Sequence, residues 1–160
     1  FGSCDGTGAA IYVCLGFRPR KIVVKNVEDA GAKDPVLEFN EGMELVAAMD
    51  EGFLTKGPDD TDMDRTKIAA NGLSMYAGGD RIHWDSVSAR WEDADGNDVS
   101  EKFVDGAFKK TATSAAYRCI GDVIDPGRSG AYVRTPPGFI IGTDADINAN
   151  GEQLIWEAYR

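Results

Sequence analysis

Gln153-Leu154-Ile155-Trp156-Glu157-Ala158-Tyr159 sets Leu154, Trp156 and Ala158 against Ile155, Glu157 and Tyr159 in strict alternation. Strand side chains point to opposite faces with period 2, so the stretch predicts a β-strand with one buried face. Working back, Pro136-Pro137-Gly138 precedes the apolar run Phe139-Ile140-Ile141, and a polar connection joins that run to the closing strand. Tyr117-Arg118-Cys119-Ile120 and Ala131-Tyr132-Val133-Arg134 read as short strands around the turn Asp125-Pro126-Gly127.

The other end repeats the pattern. Ala10-Ile11-Tyr12-Val13-Cys14-Leu15 places Ile11, Val13 and Leu15 on one face. Gly16-Phe17-Arg18-Pro19 interrupts it, because proline fixes φ and removes a donor. The β-branched run Arg20-Lys21-Ile22-Val23-Val24-Lys25-Asn26-Val27 follows, and the pair is expected to form a β-hairpin. Pro35-Val36-Leu37-Glu38-Phe39 is a third expected strand. Residues 43–49 favour helix by composition, but Gly42 and Gly52 confine them to a turn or two. Residues 56–65 form an acidic loop.

Strand signals resume at Gly72-Leu73-Ser74-Met75-Tyr76 and Arg81-Ile82-His83-Trp84-Asp85, separated by Gly78-Gly79. After the acidic turn 92–98, Asp98-Val99-Ser100-Glu101 has the form of a capping box before Phe103, Val104, Ala107 and Phe108. Gly106 interrupts that run, so a short helix and an irregular insertion both stay open. Many short strands with Gly, Pro, Asp and Asn turns point to a mainly β fold. The expected form is an antiparallel β-sandwich or jelly roll with at most one or two short helices. No linker divides two cores, so residues 1–160 are expected to form one domain.

Composition narrows the function. The 160 residues are 42% hydrophobic and 28% charged, with a formal net charge of −10. That balance opposes unguided contact with nucleic acid or anionic membrane, since phosphate contacts need cationic side chains. The basic cluster Arg18, Arg20, Lys21 and Lys25 is expected as a solvated face. No apolar run approaches the ~20 residues that span a bilayer. Cys4, Cys14 and Cys119 have neither C-x-x-C spacing nor an even count. They are expected as buried thiols, with a Cys4–Cys14 bridge as the alternative.

Signatures of catalysis are near misses. His83 is the only histidine and is expected as a packed or rim residue beside Trp84. Gly72-Leu73-Ser74-Met75-Tyr76 starts like a nucleophile elbow, but Tyr76 stands where the sharp turn needs glycine. Gly6-Thr7-Gly8 lacks the third glycine of a dinucleotide loop. The best metal-like match runs from Asp146 to Glu157 and fits D-x-[DN]-x-[DN]-G-x5-E. An EF-hand needs helices on both sides, whereas strands are expected here, so the segment is read as a strand connection. Catalytic, cofactor and metal residues are all expected to be absent.

Two segments carry a resemblance. Gly16-Phe17-Arg18-Pro19-Arg20-Lys21-Ile22-Val23-Val24-Lys25-Asn26 resembles the "G-F-x-P-x-x-V-x-V-x-N" hairpin common near the start of small tailed-bacteriophage virion proteins. Gly138-Phe139-Ile140-Ile141-Gly142-Thr143-Asp144-Ala145-Asp146-Ile147-Asn148 resembles their closing "G-F-x-I-G-x-x-A-x-I-N" segment. The resemblance covers about a quarter of the chain and implies a β-sandwich structural protein of the phage or prophage virion, including head-decoration proteins. It implies a major capsid protein or neighbouring virion subunits as partners, and it supplies no catalytic residues. A homo-oligomer is compatible with this, with a trimer fitting the capsid reading.

On this basis the chain is expected to decorate or cement a capsid through protein–protein contacts. Trp84, Trp91, Tyr132 and Phe1 are the candidate anchors, each weighed against an ordinary place in the core. The alternative is a receptor- or glycan-binding module of a tail fibre or spike. A carboxylate-dependent hydrolase stands third.

Overall fold

The computed structural model describes residues 1–28, 34–43, 51–57, 64–105 and 132–160. In chain order the strands are β1 (Gly2–Asp5), β2 (Ile11–Cys14), β3 (Lys21–Asn26), β4 (Val36–Asn40), β5 (Glu51–Lys56) and β6 (Asp64–Tyr76). Then come β7 (Arg81–Asp85), β8 (Arg90–Asp93), β9 (Phe103–Asp105), β10 (Val133–Arg134), β11 (Gly138–Ile141) and β12 (Gln153–Tyr159). A 3-10 turn, Glu41–Met43, is the sole helical element among the described residues. The fold is mainly β and of the sandwich class that the strand pattern predicts.

Nine strands form one sheet in the order β1-β12-β3-β4-β5-β6-β11-β2-β9. All neighbours are antiparallel except β2 with β9. The 13-residue β6 lets this sheet turn over on itself. Its first half pairs with β5, its last residues Leu73–Tyr76 pair with β11, and Asn71 between them has φ 61°. A register shift at Glu51/Gly52 marks the same bend, where bulged strands twist most. Both halves then face one core. Ile22, Val24, Leu37, Phe39, Leu154 and Trp156 come from one layer, and Ile11, Val13, Leu73, Phe139 and Ile141 from the other.

The second layer is covered on its back as well. Cys14, Tyr76 and Phe103 turn away from the first core and pack with Ile82, Trp91 and Val99 in a second one. Ile82 and Trp91 belong to a three-stranded sheet, β10-β7-β8. Burial on both faces explains why β2 and β11 read as near-continuous apolar runs, whereas β3 and β12 alternate.

The expected opening hairpin does not form. β2 pairs with β11 and β9, while β3 pairs with β12 and β4. The segment Gly16 to Arg20 is instead a crossover between layers. Leu15 N and Gly16 N both donate to Pro137 O, at 3.0 and 2.9 Å, so the chain ends its run on β11 rather than folding back. Arg20 N then donates to Tyr159 O at 2.7 Å, starting the next strand in the other layer.

Residues 98–105 resolve the capping-box segment as a turn and a strand. Asp98 Oδ1 accepts from Ser100 N at 2.9 Å, and β9 follows. Phe103 and Val104 enter opposite cores in succession, which a strand allows and a helix does not. The expected strand 117–120, its turn 125–127, Ala107, Phe108, Cys119 and most of 43–49 lie outside the described residues.

Tyr76 closes the second core. Its hydroxyl meets Thr135 Oγ1 and lies 2.8 Å from Asp80 Oδ2. Burial, aided by the Asp80 carboxylate, raises its phenol well above the ordinary tyrosine range. A raised native pKa leaves stability intact below the unfolded value of about 10 and removes it as pH climbs beyond. Denaturant melts should therefore show a steep alkaline loss in the wild type and a shallower one in Tyr76→Phe. Equal slopes would contradict this account.

Candidate functional site

The β1–β2 loop, the β7–β8 turn and residues 98–102 line an open groove of about 900 Å3. One wall is fixed by Asn148, which is 1% exposed. Its Oδ1 accepts from Thr7 N at 2.9 Å, and its Nδ2 donates to Ala9 O at 2.6 Å and to Gly142 O at 2.7 Å. The opposite wall is the turn after β7, where Asp85 accepts from Val87 N at 3.0 Å, Ser88 N at 3.1 Å and the Ser88 hydroxyl. The Ser88 hydroxyl and these two amides hold the Asp85 carboxyl below the usual carboxylate range.

Across the groove, Lys102 Nζ lies 4.7 Å from the Tyr12 ring centroid, within cation–π range. Arg90 Nε donates to Glu92 Oε1 at 2.7 Å, and this bond raises the guanidinium pKa. Asp98, Glu101, Ser88, Ser100 and Thr7 add hydroxyls and two carboxylates to these two cations, and Ala9, Ala10 and Ala89 make the rest of the lining apolar. Such a set can exchange hydrogen bonds with a neutral polyhydroxyl ligand. Its parts lie far apart in sequence, and no single motif announces them.

His83 stands opposite Glu92 on the neighbouring strand. Its Nε2 is 3.6 Å from Glu92 Oε2, and its ring centroid is 4.6 Å from that of Tyr132. Arg90 holds the same carboxylate, so His83 belongs to a cross-strand ladder. Of the candidate anchors, Trp91 is buried and Trp84 packs on it at 5.6 Å, whereas Tyr132 and Phe1 are exposed.

The calcium-like segment joins β11 to β12, and its oxygen-bearing side chains point to separate tasks. Asp146 forms an ion pair with Lys56, Asn148 holds the groove wall, and Glu157 accepts from the Tyr159 hydroxyl on the outer side of β12. Among the described residues, no three His, Cys, Asp or Glu side chains gather as a metal site would require.

The glycines of Gly6-Thr7-Gly8 serve the same loop. A Cβ at Gly6 would sit 2.2 Å from Ala149 O, and Gly8 has φ 70°. Gly72-Leu73-Ser74-Met75-Tyr76 lies within β6, and Leu73 is fully buried. Cys4 is buried in the first core and Cys14 in the second, so the bridge between them is not formed. Arg18, Arg20, Lys21 and Lys25 are all exposed, with Arg20 3.4 Å from Glu41 and Lys21 over the Tyr159 ring.

No helix among the described residues is long and apolar enough to cross a membrane. Comparison with known proteins finds no matching family model, no matching curated protein and no matching solved structure.

Proposed function

We propose that this chain is a non-enzymatic structural protein of a tailed-phage virion, acting by protein–protein contact as a capsid decoration or cement protein. One observation supports the reading most. The two segments that resemble phage virion proteins, far apart in sequence, meet in space and lock each other. Asn26, which ends the first, donates to Asp146 O in the second at 3.1 Å and to Glu152 just beyond it. Gly16 N, the first residue of the first segment, donates to Pro137 O, the residue just before the second. In this fold the two motifs thus form one paired unit, the arrangement a shared structural role would use.

The work of such a protein is to bury surface against its neighbours, with about 800 Å2 on each side for a stable contact. The partner in this reading is a major capsid protein or an adjoining virion subunit. Co-sedimentation with shells assembled from a tailed-phage major capsid protein is expected to saturate at a fixed ratio per shell. Absence of the chain from the shell pellet at every concentration would overturn the reading.

The groove beside Tyr12 favours one second reading, a glycan- or receptor-binding module of a tail fibre or spike. Selective retention on a glycan array, lost in Tyr12→Ala, would support it over decoration.

A further inference from the structure

Among the described residues, Asp34, Asn71 and Ala89 have positive φ without being glycine, at 39°, 61° and 52°. Asp and Asn tolerate this region because their short polar side chains bond locally. Alanine has no such group, and its Cβ crowds the following carbonyl. Glycine at position 89 would close the β7–β8 turn without that strain. Asp85 already holds the turn through Val87 N and Ser88 N, so its hydrogen bonding does not call for a methyl group. The methyl group does have a place in the lining of the open groove. Backbone strain kept at a ligand-sized recess points to function there.

The rest of the lining selects the ligand. Tyr12 is fixed in place, edge-on to Tyr76 at 5.0 Å and tilted against Phe103 at 5.3 Å. Lys102 Nζ lies over Tyr12 and Phe103, 4.7 and 5.0 Å from their ring centroids, on a flexible stem. Arg90 is committed to Glu92 through two nitrogens, each at 2.7 Å. Asp98 and Glu101 are exposed. These two cations against the three carboxylates leave a small negative excess, in a chain of net charge −10. An anionic ligand meets that excess, and a cationic one meets Lys102. A neutral sugar meets neither. Its hydroxyls donate to carboxylates and accept from the ammonium, while its C–H face packs on methyl groups and an aromatic ring.

We propose that the groove binds a neutral oligosaccharide, with Ala89 and Tyr12 against its apolar face and Lys102, Asp98 and Glu101 on its hydroxyls. The inference rests on the glycan reading of this groove and narrows it to one ligand class. It draws nothing from the capsid reading. An open recess of about 900 Å3 suits a short run of sugar units rather than a single enclosed one.

A glycan array carrying short neutral oligosaccharides beside uronic-acid and sialic-acid counterparts tests it, followed by calorimetry with the best-retained neutral member. Retention is expected on neutral members, with an affinity that holds steady between about 50 and 500 mM salt because the ligand carries no charge to screen. Lys102→Met keeps the stem and loses the donor, and is expected to weaken binding about tenfold. Ala89→Gly is expected to raise the melting midpoint by about 2–4 °C while weakening binding about fourfold, a split that a purely structural alanine would not give. Preference for the acidic members would overturn the neutral class and leave the groove a glycan site. Retention of no sugar would overturn this inference and the glycan reading together. Neutral binding that is indifferent to both Lys102→Met and Ala89→Gly would overturn its placement in this groove.

Discussion

Replacing Asn148 with alanine is expected to lower the unfolding free energy by about 2 kcal/mol or more, because Thr7 N–H and Gly142 C=O lose their partner, while Ala9 C=O keeps the Thr7 hydroxyl, and a buried unsatisfied group costs about 1–3 kcal/mol. Thr7 N–H, Ala9 C=O and Gly142 C=O all bond to this one side-chain amide. Asn148→Asp tests the chemistry more sharply. It keeps an acceptor for Thr7 but sets a second carboxylate oxygen against two carbonyl oxygens, so the loss should match or exceed that of alanine. Asn150→Ala, two residues on and exposed, should change stability by no more than about 0.5 kcal/mol. Urea melts of the three variants decide the matter. A small effect for both Asn148 changes would mean that water replaces the amide and that the loop is not held as described.

Trp156→Ala is expected to cost about 3–5 kcal/mol, the range for removing a buried large aromatic side chain. Trp156 is 2% exposed, meets Phe139 edge-on at 5.6 Å, and so joins the two layers of the sandwich through the core. A Cβ built on Gly2 would fall 2.2 Å from its indole, so the ring also fills the space left beneath β1. Its Nε1 is buried with no acceptor among the described residues. The stabilisation therefore comes from packing and not from the N–H. Trp156→Phe should then cost clearly less than the alanine change, with only part of the ring volume lost. Equal losses for phenylalanine and alanine would show that the indole edge carries an interaction missing from this account.

The sequence made some strands legible for a physical reason. β3 and β12 have one wet face, so Ile22 and Val24, or Leu154 and Trp156, alternate with exposed or half-buried neighbours and period 2 is plain. β2 was legible only in part. Ile11 and Val13 mark the first core, but Tyr12 and Cys14 face a second core that alternation cannot announce. The hairpin expectation failed at Gly16 to Pro19 because a turn signal tells where a strand stops and not which layer the next one joins. The deciding bonds run to Pro137 and Tyr159, more than a hundred residues away.

The groove was hidden for a related reason. Thr7, Tyr12, Ser88, Arg90 and Lys102 share no spacing, and only the stacking of the small sheet on the sandwich assembles them. The calcium-like pattern was the opposite case, legible as a motif yet without its geometry. Asn148 faces inward to hold a loop, whereas Glu157 faces outward on a strand.

The proposed role turns on binding of the chain to a virion shell. The most direct measurement is quantitative co-sedimentation with purified shells of a tailed-phage major capsid protein. The expected result is saturable binding at a fixed copy number per shell, with bound shells surviving heating that disrupts bare ones. A chain that stays in the supernatant at all concentrations, and leaves the shells' thermal stability unchanged, would contradict it.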